Sequence, residues 1–530
     1  MRMKTKRSTG FKHWLILAVA GMMLVSVMSG CGGGNNAEPA AGQKAEGEPP
    51  AADSAKPLEL TLMLPIFKTN YPKDGSPVAA ELEKRTNTKI HFEWVPNASY
   101  TDKFNITLAS GRLPSLIYVP DVKASSFVNA AKSGAFWEVG PYLKDYPYLS
   151  QANPVILKNS SIEGKNYGIY RGRALGRNGV VYRKDWLEKV GLQEPKTIDE
   201  FYEMLKAFKE KDPDGNGKDD TYGTVLVKWT GGWASGFDTM KLWFGVPNKW
   251  GEKDGKLVPE HEYPEYLEAL KFMKKLYEEK LINSDFAVMD SAKWNDPVVN
   301  NKAGVIVDVV DNGARLDDKI HAALEKEGKD EKDKHYIDVM GGVTGADGKL
   351  HTLPTSGFSG ILAIPKSTVK TEEELKRVLT FLDQLNDPEL QTLLSYGIEG
   401  KHYTKVDGFI ERSADTVLIE SEVEGLNQML PFIPEDKSNQ VKQTELRKKQ
   451  LEVQKANEAT IVVNPAEALI STVYSQKGAQ LDNVINDARI KFIVGQMDEA
   501  ELKAAFEVWR NTGGDELVKE MNELYANSGK

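Results

Sequence analysis

Cysteine is nearly absent. Cys31 is the only one, so no disulfide can form within the chain, whatever compartment it reaches. Stability has to come from a packed core, with a bound metal as the remaining staple. Long apolar runs are missing after Val27, so nothing downstream has the length of a membrane-spanning helix. There is no Gly-x-Ser-x-Gly elbow, no His-Glu-x-x-His pair and no Walker loop. The seven histidines are scattered, and His91, His261, His351 and His402 have no ligand-like spacing. Carboxylates are plentiful, so counting does not exclude a glycosidase acid/base pair. Basic charge is in deficit: the formal charge of −9 becomes −14 once the five basic residues of 1–30 are set aside. That argues against a nucleic-acid partner, which favours a basic face.

What is present begins with an export signal. Arg2, Lys4, Lys6, Arg7 and Lys12 precede an apolar segment, Trp14 to Val27, that is short for a membrane span. Small residues then lead into Cys31, a pattern that resembles a lipobox, in which Cys31 takes a diacylglycerol and becomes the new amino terminus. Plain secretion with a free thiol and an uncleaved anchor are the alternatives. Residues 1–30 therefore read as a lipoprotein signal peptide. Residues 31–57, rich in Gly, Ala, Pro and Glu, read as a flexible tether that cannot bury enough surface to fold. The 530 residues exceed what one compact core holds, so two domains are expected. Ten Trp and nineteen Tyr suit either sugar stacking or large cores.

The densest chemical signal is a loop over 212–223. Asp212, Asp214 and Asn216 alternate, Gly217 permits a sharp turn, Lys218 offers a backbone carbonyl and Asp220 another carboxylate. This is the opening of a calcium loop, whose hard cation takes six to eight oxygens. The twelfth position, a bidentate Glu in an EF-hand, is Gly223 here, so Thr221 or water must complete the shell of a structural site. The plainer alternative is an Asp/Gly turn leaving a helix. Upstream, Thr197 and Glu200 form a capping box, and Phe201, Leu205 and Phe208 recur on one helix face.

Residues 58–119 alternate strand and helix patterns in a β-α-β-α-β order, which predicts a parallel sheet with helical crossovers. Ligands of such sheets bind beyond the carboxyl ends of the strands, which points at Asp121. Val225–Val227 reads as a short strand. Trp229 and Trp233, flanked by glycines, are set to stack on pyranose faces, and Trp294 lies in a loop; filling a core is the alternative for each ring. Ala303–Asp308 reads as a buried strand, and residues 317–334 as a charged surface helix or insertion.

The run from Val181 to Gly223, with Arg183-Lys184-Asp185-Trp186-Leu187, then Pro195-Lys196-Thr197 and Glu200, then the calcium loop, resembles the lipid-anchored family 1 solute-binding proteins of carbohydrate-type ABC importers. Trp509-Arg510, then Gly513-Gly514 and a final helix, match the family's ending, so the resemblance covers nearly the whole mature chain. It implies an α/β, two-lobed fold of the type II periplasmic-binding-protein kind. Each lobe is then a mostly parallel sheet flanked by helices, with a helical carboxyl-terminal part. Lobe 1 would take 58–170 and 357–415, lobe 2 171–356 and 416–530. Tyr170 and Gly179–Tyr182 flank the first crossing between lobes, with Arg171, Arg173 and Arg177 between them; a solvated basic loop is the alternative. Phe358 begins the second crossing, and the strand ending at Asp308 faces the cleft. The function implied is capture of an oligosaccharide for an ABC permease without catalysis. The protein would be monomeric and anchored on the extracytoplasmic face of a Gram-positive-type membrane, with structural calcium and no nucleic acid. Rival readings are a calcium-stabilised, lipid-anchored carbohydrate hydrolase and a peptide-binding importer lipoprotein.

Overall fold

The computed structural model describes residues 56–227, 236–289, 293–331, 333–433 and 436–528. The signal peptide, Cys31 and nearly all of the tether therefore lie outside the described residues, as do Trp229 and Trp233. In chain order the described strands are β1 (Leu58–Ile66), β2 (Thr88–Pro96), β3 (Leu116–Val119), β4 (Gly168–Gly172), β5 (Asn178–Arg183), β6 (Tyr222–Thr224), β7 (Trp250–Lys253), β8 (Lys256–Pro259), β9 (Ala303–Val309), β10 (Ile337–Met340), β11 (Phe358–Ala363), β12 (Tyr403–Val406) and β13 (Phe409–Arg412). They build a five-stranded sheet, β2-β1-β3-β11-β4, a four-stranded sheet, β10-β5-β9-β6, and two hairpins.

In the first sheet β1 pairs in parallel with β2 and β3. β11 runs antiparallel to both β3 and β4, so β4 points the same way as β1. In the second sheet β5 is antiparallel to β10 and β9, and β6 is parallel to β9. Each sheet thus has one reversed strand and is mixed in its pairing. The reversed strands are the two that arrive from the other sheet: β5 follows β4, and β11 follows β10. A chain that leaves one sheet at its carboxyl edge and enters the next at the facing edge must run inward, against its neighbours. The carboxyl ends of both sets of strands consequently meet at the crossings, where open α/β sheets hold their ligands.

Side-chain alternation then sorts the cores. Val180 and Tyr182 of β5 enter one apolar cluster, while Val181 enters another on the opposite face of the sheet. The first sheet has its own cluster around Leu60, Leu62, Leu64 and Ile117, none more than 1% exposed. Each such side chain contributes ~1.5–3 kcal/mol by leaving water. Ile419, Val423, Leu426, Met429 and Ile433 also pack in this first cluster, so residues 416–433, expected in lobe 2, join the core of the first sheet.

Local signals mostly act as written. Thr371 and Glu374 close a capping box on the helix Glu372–Gln384. Thr197 caps the helix Ile198–Glu210, but the Glu200 carboxylate accepts instead from the Lys196 amide at 2.7 Å. The short strand falls at Tyr222–Thr224 rather than 225–227, because Asn283 takes over the backbone of Leu226. Its Oδ1 accepts from the Leu226 amide and its Nδ2 donates to the Leu226 carbonyl. The charged stretch after 316 is not all solvated: Asp317 is buried and accepts from the amides of Tyr336 and Ile337.

Candidate functional site

Three segments tie the two sheets together. The first is 173–177. The second, 341–357, returns from β10 to β11. The third runs from about 431 to 457 and ends in the helix Glu445–Asn457; it went unread in the sequence because its helix is mostly polar. The first is bonded to each of the other two. The Gly172 amide donates to Pro431 O at 2.6 Å and the Arg173 amide to Gly357 O at 2.8 Å. Thr355 Oγ1 donates to Ala174 O, and Asn457 Nδ2 donates to the carbonyls of Gly176 and Asn178. Gly176 is required here: a β-carbon would press on the backbone of Gln454 and Glu458.

The expected arginines sit on this seam in three different environments. Arg177 makes a two-pronged pair with Asp311, Nε to Oδ1 at 2.6 Å and Nη2 to Oδ2 at 2.8 Å. Arg315 holds the same carboxylate at 2.9 Å. Burial would raise the Asp311 carboxyl, but the two guanidiniums hold it below its ordinary range. Arg173 is half-buried and donates Nη1 to the Gly172 carbonyl at 2.8 Å; burial and then Arg177 push its pKa down. Arg171 is 2% exposed. Its Nη2 donates to Gln428 Oε1 at 3.0 Å, its guanidinium lies 5.1 Å from the Tyr118 ring centre, and its Nε has no partner. Burial pushes it down to about 10. Gln428 and Tyr118 were not legible as site residues, since neither carries charge and the one lies 257 positions from its arginine.

The other expected groups divide. Asp308, half-buried beside Arg177 and Asp311, is raised by burial to about 6 and accepts from the Val309 amide. It lines one crevice together with Trp294, Val225 and Ile306. Asp121 is exposed at the exit of β3 and accepts from the Lys123 amide at 2.8 Å. Lys123, unnoticed in the sequence, donates to Ser161 O and is pushed down to about 8 by burial. Tyr170 is a correction: it is 3% exposed and its hydroxyl accepts from the Asn153 amide at 2.9 Å, which makes it a core residue of β4. Phe358 is half-buried against the same core.

The acidic loop keeps most of its expected shape. Asp212, Gly215 and Gly217 take positive φ, and the Asp212 carboxylate accepts from the amides of Asn216 and Gly217. Asn216 Nδ2 donates to Asp214 at 2.7 Å and to Asp220 at 3.2 Å. Backbone donors lower the Asp212 carboxyl, led by the Gly217 amide, while Asp214 is raised by burial and by its acidic neighbours. One neutral amide thus bridges carboxylates that repel each other; turned over, it would present oxygen to the same point. Lys302 also pairs with Asp220 at 2.5 Å. Among the described residues no set of three acidic, His or Cys side chains is preformed for a metal. Still, hard oxygens of Asp212, Asp214, Asn216 and Asp220, with the Lys218 carbonyl, are the donor type calcium takes. Thr221 is a correction: its buried hydroxyl donates to Phe208 O at 2.8 Å, satisfying a carbonyl at the end of a helix.

Comparison with known proteins places this geometry. Residues 71–392 match the family model of the bacterial extracellular solute-binding proteins. Lipoprotein LipO of Bacillus subtilis (strain 168) is 49% identical over 98% of this chain and 99% of its own length. The polygalacturonan/rhamnogalacturonan-binding protein YtcQ of the same organism is 36% identical over 97% and 99%. Among solved structures, the EF-hand mutant of the Streptococcus pneumoniae ABC-transporter substrate-binding protein FusA, in complex with fructo-nystose, superposes with a TM-score of 0.58. It covers 88% of this chain and 99% of that one at 20% identity. The family match over most of the folded body, and relatives aligned nearly end to end, make this chain a member of the bacterial extracellular solute-binding proteins.

Proposed function

We propose that the protein is the extracytoplasmic receptor of an ABC importer. It captures an oligosaccharide where its two sets of strand ends meet and hands it unaltered to a permease. The observation that carries this reading is the seam itself: two α/β sheets, three bonded crossings, and a row of guanidinium and carboxylate groups at the strand ends. Hydroxyl-rich ligands suit such hydrogen-bonding edges, and hinge closure around them suits two bodies joined by short segments. Cys31 carries the lipid that holds a monomeric receptor at the membrane. Calcium binds Asp212, Asp214, Asn216, Asp220 and the Lys218 carbonyl, and neutralises a loop that is otherwise bridged by one amide.

A hydrolase would need one carboxylic acid and one free carboxylate. Asp308 and Asp311 do shift in opposite directions, burial raising the one and guanidiniums lowering the other, but Asp311 is gripped by both Arg177 and Arg315. That favours binding over cleavage. Calorimetry with the purified protein against plant and microbial oligosaccharides tests the reading. At least one should bind in the micromolar range or tighter and be recovered intact after prolonged incubation. Cleaved product, or peptide binding without sugar binding, overturns it.

A further inference from the structure

We propose that the captured saccharide is acidic, and that a uronic acid carboxylate docks on Arg173 with Arg171 behind it. This rests on the receptor reading above and adds the charge class of the ligand. Arg171 and Arg173 occupy the end of β4 and the first residue of the crossing, at the edge where the strand carboxyl ends gather. Among the described residues neither has a carboxylate within ion-pair distance. Arg171 has the neutral Gln428 and the ring and hydroxyl of Tyr118, none of them a carboxylate, and its buried Nε is unpartnered. Arg173 has only the Gly172 carbonyl. Asp311 also acts on Arg173 through space, but its carboxylate is already bonded to Arg177 and Arg315.

The balance at this edge is therefore lopsided. Four guanidiniums gather at this edge, those of Arg171, Arg173, Arg177 and Arg315, against the two carboxyls of Asp308 and Asp311. Buried charges in folded proteins are paired or bind ions. A guanidinium presents a planar fork that matches a carboxylate in two parallel hydrogen bonds. Arg173, half-buried where Arg171 is sealed, has N–H donors left over and can be reached by a ligand. A neutral sugar would leave this surplus uncompensated in a closing, drying cleft. A uronate removes it.

The test is calorimetry on the full mature protein with galacturonate, glucuronate and mannuronate trimers. Each is paired with its carboxyl-reduced neutral form and with a sulfated trimer of the same length. At least one uronate should bind tenfold or more tighter than its reduced form, with affinity falling as salt rises. Arg173→Gln should lose tenfold or more for the uronate and nothing for the reduced sugar, and Arg173→Lys should recover part of it. Arg171→Gln should weaken uronate binding while the ligand-free melting temperature stays level or rises, since an uncompensated buried charge has been removed. A merely structural arginine would lower that melt. Equal or tighter binding of reduced or sulfated trimers, or unchanged uronate binding in Arg173→Gln, overturns the proposal and leaves the receptor reading standing. No binding of any saccharide by a protein that melts cooperatively overturns both.

Discussion

Arg173 and Arg177 are four residues apart and share a residue type, yet only one has a counter-charge. The difference lies in the turn after β9, which places the Asp311 carboxylate in hydrogen-bond contact with Arg177 and leaves Arg173 bonded to the Gly172 carbonyl. Asp308 shows the same dependence on surroundings: burial raises its carboxyl to about 6, where an exposed aspartate titrates near 3.8. The sign of its effect follows. The folded state holds a proton that the unfolded chain releases, so stability is fully present below about pH 4. It is lost as pH rises through 6, by about 3 kcal/mol at most. Asp308→Asn should therefore raise the melting temperature at pH 7 and leave it little changed at pH 4. Parallel thermal melts at the two values check this, and an equal shift at both would refute it.

In the acidic loop, three carboxylates and an amide lie within hydrogen-bond reach around positive-φ turns, with Lys302 pairing to Asp220. A cation held at a hundred times its dissociation constant adds about 2.7 kcal/mol to folding. Chelator should thus lower the melting temperature of the native protein by about 5 °C, and added calcium should restore it. Asp214→Asn should blunt the response, while the preferred saccharide stays the same. A melt indifferent to chelator would remove calcium from this loop. Gly360 makes the second element-scale case. It sits in β11 at φ 73°, and a β-carbon there would strike the Tyr118 ring and the Val119 carbonyl. Gly360→Ala should cost about 1–3 kcal/mol in denaturant unfolding, by strain at the special φ and by displacing Tyr118 from under Arg171.

For the whole molecule, the reversed strands β5 and β11 are the consequence of crossing twice between sheets, and they bring all the strand ends to one seam. Hydrogen bonds from Asn457 to Gly176 and Asn178 tie the third crossing to the first. If the lobes close on a ligand, the radius of gyration in solution scattering should fall on adding the bound saccharide. Asn457→Ala, which frees the crossings from one another, should weaken affinity without altering which saccharide is preferred. An unchanged radius at saturating ligand would argue for a rigid site.

The linear chain determined what depends on near neighbours. Caps at Thr197 and Thr371, the apolar helix face of Phe201, Leu205 and Phe208, and the turn-rich acidic loop are all set within a dozen residues. Family membership was legible for the same reason: its motifs are local runs. Tertiary structure alone decided which groups of one kind are satisfied. Thr221 turned inward to Phe208, Tyr170 became core, Arg177 found Asp311, and Arg171 was left with Gln428 from 257 positions away. Charge balance at a point is a sum over space, and the sequence order of the groups that enter that sum carries no record of the distances between them.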